Sequence, residues 1–309
     1  MRLMGLTAGE VAFRTVRREP SVGEVLAVFP RTVHLRTGDG EMLALCSRGV
    51  ENGPLNIRLD APNEFAFTSL GLLKGEKVCF SSKRISIDTR MFADLSSLAM
   101  WQPRTLRKAL SKTQISHNQR TLLELVVKEG RREGLLGLLS LLMPGHDVAT
   151  EGNPYVRRGL EAASQLLRGA SSGNDDELRS GISGLIGLGP GLTPAGDDVI
   201  TGFATALGEA ERLGIVADGS FSNLQRLIPV LSRGRTSLLS ESMLLMACEG
   251  LAGESATEMV NSLYGSDPRS VRKAARRLIG VGHSSGTDML VGVLLATTLF
   301  SSGRSRPVS

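Results

Sequence analysis

Aromatic residues are scarce in this chain and make up only 4% of its 309 residues. Proteins that bind single-stranded nucleic acid combine stacking aromatics with a basic stripe. Here Trp101, Tyr155 and Tyr264 are scattered, and the net charge of +5 is spread over short, separate basic runs. The composition therefore disfavours nucleic acid as a partner and favours small anions.

Cysteine and long apolar runs are also lacking. The three cysteines, Cys46, Cys79 and Cys248, are far apart and odd in number, which predicts neither a disulfide framework nor a metal knuckle. No apolar run reaches the roughly 18 residues that a membrane span requires. The first residues have no apolar stretch of signal-peptide length. These absences predict a cytoplasmic protein with no membrane contact.

Short apolar runs separated by turn signals fill residues 1–100 and predict a β-rich domain. The string Thr37-Gly38-Asp39-Gly40 is typical of a hairpin turn. Closely spaced short strands favour a small barrel or sandwich. The predicted strands cover residues 22–29, 32–36, 42–46, 55–59, 64–68, 77–80 and 85–87.

The apolar period becomes helical after about residue 100, and no regular strand pattern follows. The fold class is therefore α+β, with an all-helical domain over residues 101–302 and a disordered tail over residues 303–309. Asn174 is a candidate N-cap. The predicted helices cover residues 118–128, 131–142, 156–167, 174–186, 197–208, 222–231, 236–249, 256–263, 268–279 and 287–300.

Two segments about 93 residues apart repeat each other in the helical half. The first reads Leu185-Ile186-Gly187-Leu188-Gly189, then Gly196-Asp197-Asp198, Gly202 and Ala206. The second reads Leu278-Ile279-Gly280-Val281-Gly282, then Gly286-Thr287-Asp288, Gly292 and Ala296, with a loop three residues shorter. Each copy is a helix, a glycine loop, an Asp and a second helix.

This layout suits the binding of a small anion. A helix start has free N–H groups and a positive dipole end, and glycine lets the backbone approach a ligand. Two copies facing each other would enclose one phosphate or carboxylate. The alternative is that Asp and Gly only cap helices. Capping alone does not require the long loop with two prolines that ends at Asp197 and Asp198.

The candidate site residues are concentrated in the two loops and in one segment between them. His283 is a candidate acid or base near neutral pH, or a hydrogen-bonded loop histidine. Ser284 and Ser285 suit hydroxyl donors better than nucleophiles, since no Gly-x-Ser-x-Gly elbow is present. The predicted substrate-binding set is Gly189, Gly191, Leu192, Thr193, Gly196, Arg235, Thr236, Ser237, Ser284, Ser285, Gly286 and Thr287.

The acidic residues of the loops have two interpretations. Asp197, Asp198 and Asp288, with His283, form the candidate catalytic set. The same three carboxylates are also candidate ligands for Mg²⁺, the one cofactor considered, because carboxylate oxygens suit that ion. The remaining histidines, His34, His117 and His146, show no ligand spacing and are interpreted as structural or surface residues.

The two glycine loops resemble the signature loops of the AllH family, which is named after a subunit of the bacterial oxamate carbamoyltransferase. These loops are residues 187–198 and 282–288. The N-terminal region with Gly53-Pro54-Leu55-Asn56-Ile57 is similar as well, so the resemblance spans roughly residues 20–300. Ala195 departs from the serine expected in the first loop, so no hydroxyl role is carried over to that position.

The resemblance implies a reaction and partners. The family's enzyme converts oxalurate and phosphate to oxamate and carbamoyl phosphate in allantoin breakdown. The resemblance also implies a hetero-oligomer in which this chain works with an FdrA-like and an AllG-like subunit. Two other hypotheses remain open. One is a non-catalytic subunit that binds a small anion or nucleotide, and the other is a different enzyme acting on small anionic metabolites.

Overall fold

The computed structural model of the chain describes residues 1–18, 20–143 and 153–301. It divides into two compact units, Met1–Pro103 and Arg104–Ser309. The sequence places this boundary at residue 100. The predicted tail and His146 lie outside the described residues. No helix in the described part of the chain is long and apolar enough to cross a membrane.

The N-terminal unit is a closed barrel of eight strands, β1–β8, and a short ninth strand, β9, pairs with the last residues of β1. The barrel closes because β1 pairs with β5 on one side and with β8 on the other. Most neighbouring strands are antiparallel, whereas β4 runs parallel to β5 and β1 runs parallel to β8. The strands are Arg2–Ala8, Ser21–Val28, Thr32–Arg36, Met42–Cys46, Asn56–Leu59, Lys77–Ser81, Arg84–Ile87, Met91–Asp94 and Ala99–Met100.

The barrel has its own apolar core, built from side chains that alternate between inside and outside along the short strands. In β5 and β7, every second residue is buried. Helix α1 (Glu10–Arg17) covers part of this core with Ala12, Thr15 and Val16. The predicted β-rich unit is therefore confirmed as a barrel.

Several elements of the N-terminal unit differ from the prediction. The sequence pattern does not identify α1, β1, β8 or β9. Residues 64–68 are not a strand, because Phe67–Leu70 form a short 3₁₀ helix. Buried Phe67 and half-buried Phe65 pack edge to face there, so the apolar run serves the core without pairing to a strand.

The C-terminal unit contains nine α-helices among the described residues, and no strand. They are α2 (Lys112–Glu129), α3 (Pro154–Ser172), α4 (Asp175–Leu185), α5 (Ala195–Arg212), α6 (Ser222–Ser232), α7 (Leu238–Cys248), α8 (Glu254–Gly265), α9 (Pro268–Ile279) and α10 (Ser285–Thr297). Short 3₁₀ helices span Leu136–Leu141 and Thr298–Ser301. The helices share one apolar core. The predicted all-helical half is confirmed.

Local sequence signals explain where several of these helices begin. Asn174 caps α4, because its side chain accepts hydrogen bonds from the amides of Asp176 and Glu177. Asp267 caps α9 in the same way, with Pro268 in the first turn. The predicted α-helix over residues 131–142 is wrong: only Leu136–Leu141 are helical, as a 3₁₀ helix. The backbone amides of Arg131 and Leu135, which precede this 3₁₀ helix, donate hydrogen bonds to side chains of α10.

Candidate functional site

The first glycine loop joins α4 to α5 through three alternating glycines with positive φ. The φ angles are +73° at Gly187, +111° at Gly189 and +100° at Gly191. Only glycine adopts this region at little cost, so the chain reverses sharply here. Helix α5 then begins at Ala195 and carries Asp197 and Asp198 in its first turn.

Asp197 is fully buried and both of its carboxylate oxygens are engaged. Oδ1 accepts a hydrogen bond from the Gly187 amide at 2.8 Å. Oδ2 accepts from the hydroxyl of Thr236 and from that of Ser240 at 2.7 Å. Asp197 therefore ties the glycine loop to the start of α7, which makes it a positioning residue.

The second glycine loop joins α9 to α10 and is fastened by residues 131–135. Gly282 has φ +64°, and α10 begins three residues later. The Thr287 hydroxyl accepts a hydrogen bond from the Arg131 amide at 3.0 Å. Asp288 Oδ1 accepts one from the Leu135 amide at 2.6 Å. These amides bond to distant side chains instead of to a helical carbonyl, which explains why no α-helix forms there.

Helices α5 and α10 make the most extensive helix–helix contact in the described part of the chain, and the contact is reciprocal. A Cβ added at Gly202 would lie 2.0 Å from the Met289 carbonyl oxygen, and one at Gly292 would lie 1.9 Å from the Val199 carbonyl oxygen. Glycine is therefore required at both crossing points. The corresponding positions of the two segments make corresponding contacts, which supports the duplication predicted from the sequence.

The two glycine loops touch each other. Thr193 Oγ1 of the first loop and Ser285 Oγ of the second lie 3.0 Å apart, in a hydrogen bond where either hydroxyl can donate. The same two hydroxyls lie beside the Asp198 carboxyl. The structure thus brings together side chains from both segments around Asp198.

Asp198 and Asp288 form a buried pair of carboxyls. Burial raises the pKa of Asp198 well above its usual range; the Ser285 hydroxyl lowers it, and the charges of Asp288 and Asp197 raise it further. Burial also raises the pKa of Asp288 to about 7, against the lowering effect of the Leu135 amide and the Ser284 hydroxyl. Oδ2 of each residue is buried without a hydrogen-bond partner. The pair therefore has features typical of functional carboxyls.

Some of the backbone amides predicted to bind an anion are already engaged. The Gly196 amide donates to the Leu188 carbonyl at 2.9 Å, and the Gly286 amide donates to the Val281 carbonyl at 3.1 Å. Each glycine closes its own loop, so these two amides are not available as donors in this conformation. The remaining candidate donors are the loop hydroxyls and the amides outside these turns.

The other predicted site residues lie around the loops with different exposures. His283 is exposed, and no hydrogen bond of its ring is found within the described ranges. Arg235 is exposed, and its guanidinium donates to the Ser183 carbonyl at 2.9 Å. Ser237 caps α7 and also donates to the carbonyl of Leu192, which is 46% exposed. The segment between the loops therefore packs against the first loop.

The three Asp side chains are not grouped as a metal site. Among residues 1–18, 20–143 and 153–301, no three His, Cys, Asp or Glu side chains are placed to hold a metal ion together. The physical reason at Asp197 is that both of its oxygens already accept hydrogen bonds. The predicted Mg²⁺ set of Asp197, Asp198 and Asp288 therefore does not assemble in this conformation.

The sequence pattern did not identify the residues that hold the loops from outside. Leu135 and Arg131 donate through their backbone amides, which leave no side-chain signal. Gly134 leaves room for the Asp288 carboxyl, since a Cβ there would lie 2.2 Å from Oδ1. Ser240 lies one helical turn after Thr236 and reads as an ordinary helix residue. The available signals were Gly134, within the predicted helix over residues 131–142, and Gly130, one residue before it.

Comparisons with known proteins agree with this architecture. One family model, described as oxamate carbamoyltransferase subunit AllH, matches residues 185–297. A second, described as the AllH family N-terminal domain, matches residues 5–100. Together they cover about two thirds of the chain.

The chain belongs to the AllH family.

The first AllH match runs from the end of α4 to the end of α10 and so contains both glycine loops and the buried carboxyl pair. The N-terminal AllH match covers the barrel. No solved structure matches the chain significantly. The family description supports a subunit of a carbamoyltransferase.

Proposed function

We propose that this AllH-family chain is a subunit of an oxamate carbamoyltransferase-like enzyme whose ligand binds where the two glycine loops meet. The observation that carries the proposal is the Thr193–Ser285 contact beside the buried Asp198 carboxyl. The proposed reaction converts oxalurate and phosphate to oxamate and carbamoyl phosphate. A cytoplasmic location and partnership with FdrA-like and AllG-like subunits belong to the same proposal.

The reaction needs positioned phosphate and stabilisation of a developing oxyanion. A phosphate oxygen attacks the carbamoyl carbon of oxalurate, forming a C–O bond while the C–N bond to oxamate breaks. The proton that phosphate loses ends on the leaving amide nitrogen. In this proposal the hydroxyls of Thr193, Ser284 and Ser285 orient the anion. In the same proposal exposed His283 moves the proton, and Arg235 contributes positive charge.

A second candidate is a small-anion-binding subunit with no chemistry of its own. The hydrogen bonds that occupy both oxygens of Asp197 favour it, because they describe a rigid scaffold better than a reacting group. In that case the chain would bind ligand alone and would be required by the complex, but substitution of His283 would not change turnover.

The test is phosphorolysis of oxalurate by a complex purified with its partner subunits. In Asp198→Ala and His283→Ala complexes we expect turnover to fall roughly a hundredfold or more, because the first loses the carboxyl at the loop junction and the second loses the proposed proton-transfer group. Asp176→Asn, an exposed carboxyl in the first turn of α4, is the matched control. Full activity in both alanine variants would exclude the catalytic roles, and full activity in His283→Ala alone would favour the binding subunit.

A further inference from the structure

Two buried carboxyl oxygens near the junction of the glycine loops have no hydrogen-bond partner. They are Oδ2 of Asp198 and Oδ2 of Asp288, in side chains that are 2% and 0% exposed. Each Asp is the fourth residue of its helix, α5 or α10. Buried acceptors normally have a donor, and the occurrence of two at corresponding positions indicates that a donor is supplied from elsewhere.

The charged groups with the largest effects on the pKa of Asp198 are the carboxyls of Asp288 and Asp197, and both are negative. The other acidic group beside the pair is Asp197, which adds negative charge. A ligand made only of anionic oxygens would be repelled by these acceptors. A ligand that presents N–H groups would satisfy them.

The hydroxyls beside Asp198 come from both loops, as the Thr193–Ser285 contact shows. Both Oδ2 atoms are buried, so a ligand can reach them only when neighbouring groups move. If Thr193 and Ser285 separate, their hydroxyls become donors for an anionic group. The junction therefore combines buried acceptors with hydroxyl donors.

The geometry points to Asp198 and Asp288 as the pair that accepts the two N–H groups of a primary amide whose neighbouring group is an anion. The two carboxyl oxygens without a partner, one in each Asp, equal in number the two N–H groups of a primary amide. The inference rests on the proposed function, because that proposal places the ligand between the loops. Beyond that proposal, the amide end of the ligand binds the two Asp side chains and its anionic end binds the loop hydroxyls.

Two compounds in the proposed reaction combine a primary amide with a neighbouring anion, namely oxamate and carbamoyl phosphate. Each has an analogue of the same charge and similar size in which a methyl group replaces the amide nitrogen: pyruvate for oxamate and acetyl phosphate for carbamoyl phosphate. Titration calorimetry of the full chain at pH 8, where a carboxyl with a pKa of about 7 is ionised, measures all four ligands.

We expect the chain to bind at least one amide ligand tenfold or more tightly than its methyl analogue, because the methyl group leaves both acceptors unpaired. The ligand pair that is discriminated identifies the source. Equal affinity within both pairs, including no binding of any ligand, would overturn the inference. This comparison uses the unaltered chain and so does not depend on a variant that folds.

Asp198→Asn and Asp288→Asn keep the side-chain size but replace an acceptor with a donor. We expect each to reduce the amide preference to within about twofold, whereas Asp176→Asn keeps it. If the complex turns over oxalurate while the chain shows no amide preference, only this inference fails. If the preference is present and turnover is absent, only the proposed reaction fails.

Discussion

Three aspartates in the first turns of α5 and α10 have different chemistry because their neighbours differ. Asp197 is held by three donors from the first loop and the start of α7. Asp288 accepts from the Leu135 amide and lies beside the Ser284 hydroxyl, whereas Asp198 lies beside two hydroxyls and two other carboxyls. Of the three, only Asp197 has hydrogen bonds to both oxygens, which separates this positioning residue from the candidate ligand contacts.

The raised pKa of Asp288 predicts how stability changes with pH. Its value of about 7 lies above the ordinary 3.8, so between these values the folded chain binds the proton that the unfolded chain releases. The free energy of unfolding therefore falls as pH rises through this interval. We expect the melting temperature of the wild type, relative to Asp288→Asn, to decline from pH 4 to pH 7 and then level off.

Thermal unfolding of both proteins in matched buffers measures this difference. The Asn side chain can still accept from the Leu135 amide. Both proteins therefore keep this hydrogen bond, and the comparison measures the effect of the ionisable carboxyl. A melting-temperature difference that does not change between pH 4 and pH 8 would contradict the assignment of a raised pKa to Asp288.

Gly134 predicts a steric effect at the same carboxyl. Because a Cβ there would lie 2.2 Å from Asp288 Oδ1, Gly134→Ala should displace the carboxyl or the backbone before Leu135. We expect a loss of about 1–3 kcal/mol in unfolding free energy, the usual cost of overpacking. Gly280→Ala is the control, since Gly280 has φ −73° and its nearest contact for a Cβ is 3.3 Å away.

Urea unfolding of the two variants measures these free energies. The hydrogen bond of the Leu135 amide provides a second measurement, because hydrogen exchange at that amide should become faster in Gly134→Ala. Equal stability of Gly134→Ala and Gly280→Ala would show that the segment adjusts without cost.

At the scale of elements, the crossing of α5 and α10 depends on glycine in both helices. Alanine is favoured over glycine inside a helix by roughly 1 kcal/mol. A Cβ at Gly202, however, would lie 2.0 Å from a backbone oxygen of α10 that has no rotamer to adjust. We expect Gly202→Ala to lower the free energy of unfolding by about 1–3 kcal/mol despite the gain in helix propensity.

Denaturant unfolding with helical circular dichroism as the signal tests the crossing. Gly292→Ala, the reciprocal position, should have an effect of the same sign because its Cβ would lie 1.9 Å from the Val199 carbonyl oxygen. An increase in stability in either variant would mean that the helices can separate at that point without losing their contact.

At the scale of the whole molecule, the two units have separate apolar cores. Every residue that holds the glycine loops, from Arg131 to Asp288, belongs to the C-terminal unit. We therefore expect a fragment of residues 104–309 to fold and to keep the amide preference of the full chain. Far-ultraviolet circular dichroism and the same calorimetric comparison check this. A helical fragment that has lost the preference would assign part of the site to the barrel unit.

The fold class could be predicted from local patterns because those patterns act within a few residues. Thr32–Arg36, Met42–Cys46 and Pro268–Ile279 begin and end at the predicted residues. Strand alternation, turn glycines and helix caps explain this agreement, since each involves neighbours in the chain. Strand β1 was missed because it pairs with residues far away in sequence. Strand β8 was also missed, although it forms a hairpin with β7.

The candidate site was predictable only as a set of loops and acidic residues. The repeat of a helix, a glycine loop and an Asp is present in the sequence, and so is the family resemblance that the comparisons confirm. The roles of individual residues could not be predicted, because the donors that reach Asp197 and Asp288 come from other segments of the chain. Residues 131–135 show the same limit, since their amides bond to side chains about 150 residues later.

The sequence alone determined a β-rich unit followed by a helical unit with two related glycine loops, because backbone preferences and apolar periodicity act locally. Only the tertiary structure decided that Thr193 contacts Ser285, that Asp197 is fully engaged and that two carboxyl oxygens are left without donors. Hydrogen bonding and burial depend on which distant groups become neighbours, and folding alone supplies those neighbours.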